Sequence, residues 1–76
     1  MNNPRRQAIQ KAIDQLEEIK SSIERIQSDE EEYMDNMPEN LHGSEKFDKA
    51  SSSCDALSET VSNLEDAVSN LESAME

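Results

Sequence analysis

The stretch VSNLEDAVSNLESAME (residues 61–76) states one seven-residue phrase almost twice, VSNLEDA and then VSNLESA. Its apolar residues, Val61, Leu64, Val68, Leu71 and Met75, alternate spacings of three and four. That is the seam of paired helices, since a strand would need apolar residues at every second position. The pattern runs back without a slip through Leu57, Cys54, Ala50 and Phe47. With Phe47 as heptad position a, the a column is Phe47, Cys54, Val61, Val68 and Met75, and the d column is Ala50, Leu57, Leu64 and Leu71. The first half carries the same signal, with Ile9, Leu16, Ile23, Glu30 and Met37 at a and Ala12, Ile19, Ile26 and Tyr33 at d. Glu30 is the one break in that seam.

Punctuation between the two heptad runs is concentrated in DNMPENLHGS (35–44), which holds Pro38 and Gly43 together with Asn36 and Asn40. Such clusters mark turns. Asn3 followed by Pro4 reads as N-cap and first residue of helix one, and Ser44 or Gly43 opens helix two. The spacing predicts helices over 4–35 and 45–75 with a loop at 36–44, each helix roughly 45 Å long at 1.5 Å per residue. Two helices of equal length with a short connection fold back on one another. In an antiparallel pair a meets d, and Leu16 with Leu64 or Ile23 with Leu57 gives residue numbers that sum to 80. The expected fold is therefore all-α: residues 1–76 as a single helical-hairpin domain.

A two-helix hairpin is thin, and chains this small need a staple. One cysteine, Cys54, excludes an internal disulfide, and one His with one Cys makes no zinc site. A second subunit is the remaining staple. Thr60, Ala67 and Ala74 at g of helix two form a small-residue ledge, and Ile13 and Met34 stand at e of helix one. These flanks are expected to pack in a four-helix bundle or a higher homo-oligomer.

The net charge is −11, laid out unevenly: residues 1–28 hold five bases and four acids, residues 29–41 six acids and no base. Such a chain is a poor direct binder of nucleic acid or anionic membrane. Neither a secretion signal nor an 18-residue apolar run is present, and the single thiol suits a reducing compartment. A cytoplasmic protein is expected.

Enzymatic constellations are lacking: a single Gly builds no phosphate loop, and no Ser/His/Asp or Cys/His grouping is local. No cofactor is implied, and the chain is not expected to be an enzyme. Three sets of residues remain as binding candidates. The first is a loop-proximal cluster of Glu30, Tyr33, His42, Lys46, Phe47 and Lys49, readable as a pocket or as a plug closing the hairpin. Within it Glu30 falls opposite Ala50, within a turn of Lys46 and Lys49, and reads as a device setting register. The second set is Arg5 and Arg6 with Lys11, an anion contact at a helix N-terminus or, more simply, partners for the acidic end of helix two. The third is an acidic display of Asp29, Glu31, Glu32, Asp35, Asp55, Glu59, Glu65, Asp66 and Glu72.

The RR near the start, DEEEYMDNMPENLHGSEKF around the loop and the heptads of LSETVSNLEDAVSNLE together resemble a family of small acidic helical-hairpin proteins carried by phages and mobile elements of Gram-positive bacteria. The similarity covers nearly the whole chain, and DNMPENL-x-GSE (35–45) is its specific element. The resemblance implies a phage-type accessory protein in a bacterial host cell, where blocking a host component is a common occupation. The leading expectation is a self-associating, non-enzymatic binding protein that occludes or sequesters a host protein, such as a defence component. The alternatives are an acidic DNA mimic, a sponge for a small anionic nucleotide, and a structural adaptor.

Overall fold

The computed structural model describes residues 2–76. Helix α1 spans Asn3–Asp35 and helix α2 spans Glu45–Met75, joined by a loop with one short 3-10 turn at Glu39–Leu41. No strand occurs among the described residues. Extents of 59 × 15 × 12 Å hold the two helices side by side, since 33 residues alone span roughly 50 Å. The molecule is an antiparallel helical hairpin.

Local chemistry accounts for each boundary. Asn2, one residue before the expected cap, holds the start of α1: its Oδ1 accepts from the Arg5 N–H at 3.0 Å. Pro4 becomes the second helical residue, where a missing N–H costs no intrahelical bond. Adjacent asparagines are equally good caps, and this explains the one-residue difference. At the other end Asn36 stays in the right-handed region and donates to the Glu32 carbonyl at 3.0 Å. The chain then tightens: the Leu41 N–H donates to Pro38 O at 2.8 Å, and the Ser44 N–H to Leu41 O at 3.0 Å. Ser44 caps α2, its Oγ accepting from the Phe47 N–H at 3.2 Å. Glu45 and Asp48 in the first turn complement the helix dipole.

The seam of α2 follows the expected heptad. Ala50, Cys54 and Val68 are buried, and Phe47, Leu57, Val61, Leu64, Leu71 and Met75 are half-buried. In α1 the a column (Ile9, Leu16, Ile23, Glu30, Met37) also turns inward. The second inward column is not the expected one. Ile13, Lys20, Gln27 and Met34 face α2, with Ile13 only 6% exposed. Ile19, Ile26 and Tyr33 are 49%, 51% and 51% exposed. Ile13 and Met34 are therefore seam residues and do not form an outer flank.

This choice shifts the register by about one helical turn. The Lys20 Nζ lies 3.9 Å from Glu65 across the helices, a pair that sums to 85 against the expected 80. On this register Leu16 stands level with Val68, and Glu30 with Cys54 in place of Ala50. Met34 comes level with Ala50, so with Glu30 beside Cys54 long side chains meet small ones near the loop, where the expected register would oppose Tyr33 and Phe47. Lys20 is tolerated in the seam because its stem packs along apolar surface while its ammonium reaches out to Glu17, at 3.7 Å, and Glu65. The shift also leaves the first turn of α1 beyond the end of α2, and residues 2–8 are all exposed.

The register is testable by cross-linking to the native thiol. Mild oxidation of a Glu30→Cys variant should join residue 30 to Cys54, and an Ile26→Cys variant should remain reduced under the same conditions. The reverse outcome on a non-reducing gel would restore the register summing to 80.

Candidate functional site

The loop folds back onto the helices and divides the loop-proximal candidates into three groups. His42 and Phe47 form the first, with rings stacked at 4.6 Å between centroids and 24° between planes. His42 Nε2 lies 3.1 Å from the Met37 carbonyl. A carbonyl only accepts, so Nε2 carries the proton. With one ring face and one nitrogen occupied by the chain's own groups, His42 and Phe47 close the end of the hairpin as a plug.

Beside the plug lies a depression of about 490 Å³ lined by Tyr33, Met37, Leu41, Ser44, Glu45 and Lys46. Tyr33 and Lys46 are the two expected residues that meet here. Met37 and Leu41, the two large apolar side chains of an otherwise polar loop, both contribute apolar wall, and Leu41 stays 44% exposed. The combination of a phenol, two apolar walls and charged groups of both signs, Glu45 and Lys46, suits a protein side chain or another small, partly apolar group.

The remaining members stand apart. Lys49 turns to Glu45, Nζ to Oε1 at 3.3 Å, in a fully exposed pair. Glu30 lies half-buried in the seam beside Cys54, and no ion pair to Lys46 or Lys49 forms among the described residues. Cys54 is buried, and its thiol pKa is raised, first by burial and then by the charges of Glu31, Glu30, Asp55 and Asp35. A buried thiol held protonated among carboxylates is a poor nucleophile and packs as a small apolar residue.

Arg5, Arg6 and Lys11 are exposed at the opposite end of the hairpin. No ion pair to Arg5 or Arg6 forms among the described residues. Every residue of the acidic set (Asp29, Glu31, Glu32, Asp35, Asp55, Glu59, Glu65, Asp66 and Glu72) is exposed, but heptad phase distributes them around both helices. Glu31, Glu65 and Glu72 do share one edge with Glu17 and Glu24, the edge to which Lys20 reaches. The other edge carries Ile19, Ile26 and Tyr33 from α1, on the side of Thr60, Ala67 and Ala74 from α2. Thr60 and Ala74 are exposed and Ala67 half-buried. One long edge of the hairpin is thus acidic and the other apolar. No three His, Cys, Asp or Glu side chains converge on a metal-sized site among the described residues, and no helix there is long and apolar enough to cross a membrane.

No protein-family model, curated protein or solved structure matches the chain.

Two outcomes follow from this geometry. Replacing His42 with Ala removes the stacked ring and the bond to Met37 and should cost about 1–2 kcal/mol in urea unfolding. The raised Cys54 pKa means that, through the ordinary thiol range, the unfolded chain releases a proton the folded chain keeps. Its contribution is whole below that range and is lost as pH rises towards the raised value. Parent stability should fall relative to Cys54→Ala between pH 8 and pH 10, with slow thiol labelling in the folded state.

Proposed function

We propose that the chain is a non-enzymatic, self-associating binding module of the kind carried by phages and mobile elements, and that it acts in the bacterial cytoplasm by occluding a host protein. The observation that carries this reading is the row of half-exposed Ile19, Ile26 and Tyr33. The hairpin leaves this row unused, and it runs at Tyr33 into the depression walled by Met37, Leu41 and Lys46. A chain with 33% charged residues gains nothing for its own solubility from aligned isoleucines at the surface. Aligned apolar exposure of this kind marks an interaction surface. Self-association takes the row itself, and the loop-end depression serves the foreign partner.

The acidic edge supports a second reading, mimicry of nucleic acid. Glu17, Glu24 and Glu31 with Glu65 and Glu72 line one side of the hairpin at heptad spacing, about 10 Å along each helix. The two readings differ in their response to salt. Apolar contacts through Met37 and Leu41 should survive high ionic strength, whereas carboxylates in a basic channel should be screened out.

Two measurements test the proposal. Melting temperature should rise with protein concentration, because each subunit covers apolar surface that the other exposes; a folded chain whose melting ignores dilution would remove self-association. For occlusion, bacterial host proteins retained on the immobilised chain should be lost with Leu41→Ser or Lys46→Glu and kept at 0.5 M salt. Loss with Glu65→Gln combined with Glu72→Gln, and at high salt, would move the assignment to mimicry.

A further inference from the structure

We infer that the occupant of the apolar edge is a second copy of the same chain, laid antiparallel along α1. The inference rests on the self-association proposed above and specifies its surface, direction and centre. The row Ala12, Ile19, Ile26, Tyr33 recurs every seven residues on one line of α1, and its three large members are half exposed. Two such rows placed antiparallel set Ile19 against Ile26 of the second copy and Ala12 against Tyr33. The neighbouring line, Gln15, Ser22 and Asp29, is exposed. It places Ser22 against Ser22 of the second copy on the two-fold axis, with small polar groups where the helices come closest.

Charge supplies the direction. The next line outward is Lys11, Glu18, Arg25 and Glu32, all exposed and strictly alternating in sign. Antiparallel about Ser22, Lys11 meets Glu32 of the second copy and Glu18 meets Arg25, so all four pairs of a two-fold dimer attract. In a parallel pair each residue meets its own copy and all four repel. Rim pairs of this kind contribute little affinity but select among arrangements. The helix ends agree. Arg5, Arg6 and Lys11 are the only charges in residues 2–12, and residues 29–41 carry six acids and no base. The antiparallel arrangement brings each basic end over the other copy's acidic end. One patch serves both copies, as an isologous interface requires.

Single cysteines in the full chain, introduced with Cys54→Ala, read the geometry directly. Ser22→Cys should oxidise to a covalent dimer, whereas Gln15→Cys and Asp29→Cys should each stay monomeric on a non-reducing gel and cross-link when mixed. Self-linking of Gln15→Cys and Asp29→Cys as readily as Ser22→Cys would mean parallel pairing and overturn the inference. A dimer by sedimentation in which no variant links would place the interface elsewhere; the inference would fall and self-association would stand. A folded monomer at every concentration would overturn both, and host capture lost with Ile19→Ser or Ile26→Ser would then give the edge to a foreign protein. Charge reversal needs no change at Cys54. Glu18→Arg and Arg25→Glu should each weaken the dimer by about ten-fold or more, and mixing the two variants, or combining both changes in one chain, should restore it. Reversals without effect on dimerisation would also overturn the inference.

Discussion

A helix in contact with one other helix can hide only a narrow strip of its surface, and α1 carries more apolar surface than one strip. Three adjacent lines of α1 are wholly or partly apolar: the one through Leu16 and Ile23, the one through Ile13 and Met34, and the one through Ile19, Ile26 and Tyr33. Packing against α2 covers the first two. Much of the remaining structure follows from that limit. The core is shallow, with only Ile13, Ala50, Cys54 and Val68 buried among the described residues. The third line is left on an edge, and the small residues Thr60, Ala67 and Ala74 lie on the same side of α2. An α-helix of a globular protein typically buries a face at least 100° wide, broader than a coiled-coil seam. By that standard α1 has the surface of a helix inside a bundle.

The same limit explains what was legible in the sequence. In α2 only two lines are strongly apolar, so the heptad identifies the buried face without ambiguity. The boundaries at Asp35 and Glu45 follow from Pro38, Gly43 and the Ser44 cap, all local signals. In α1 hydrophobicity alone ranks Ile19 and Ile26 above Lys20 and Gln27 for the seam, and the ranking fails. It scores a side chain as one quantity, whereas Lys20 is an aliphatic stem ending in an ammonium, with Glu17 and Glu65 in reach at the open edge of the seam. It also ignores the facing helix. Ala50 and Cys54 leave room for Met34 and the stem of Glu30, and that complementarity becomes visible only once both helices are present. The loop-end site was half legible for a similar reason. Tyr33 and Lys46 lie on helices whose phase can be counted, but the placement of Leu41 beside them and the fold-back of His42 onto Phe47 depend on turns at Pro38 and Glu39 that no periodicity reports.

Electrostatics adds a direction that packing lacks. Two cations in the first turn of α1, with no acid beside them, oppose the helix dipole. Among the described residues no ion pair compensates Arg5 or Arg6. The acidic segment 29–41, at the other end of the same helix, is equally uncompensated. An arrangement that lays one α1 antiparallel on another corrects both with one operation, and the same operation buries Ile19 and Ile26. Apolar surface, the alternating line from Lys11 to Glu32 and the polarity of the helix ends are separate properties of the sequence. Their agreement on one geometry is the argument for it, since any one of them alone would be compatible with several others.

If the apolar edge is consumed by self-association, the surface available to a foreign partner is correspondingly restricted. The seam is closed, and Cys54 within it is a packing residue. The His42–Phe47 plug spends its hydrogen bond and one ring face internally. The acidic edge and the loop-end depression remain, and a two-fold dimer presents each of them twice. In an antiparallel pair of hairpins the two loops point to opposite ends of an assembly some 60 Å long, the length set by α1. Such an object presents a partly apolar depression at each of two equivalent tips, separated by a charged shaft. That geometry suits holding two copies of a partner apart, or bridging two sites on one, better than it suits enclosing a small molecule. The depression at each tip is open, with Lys46 on one wall, so the proposed occlusion of a protein surface asks for fewer additional parts than enclosure of a small ligand.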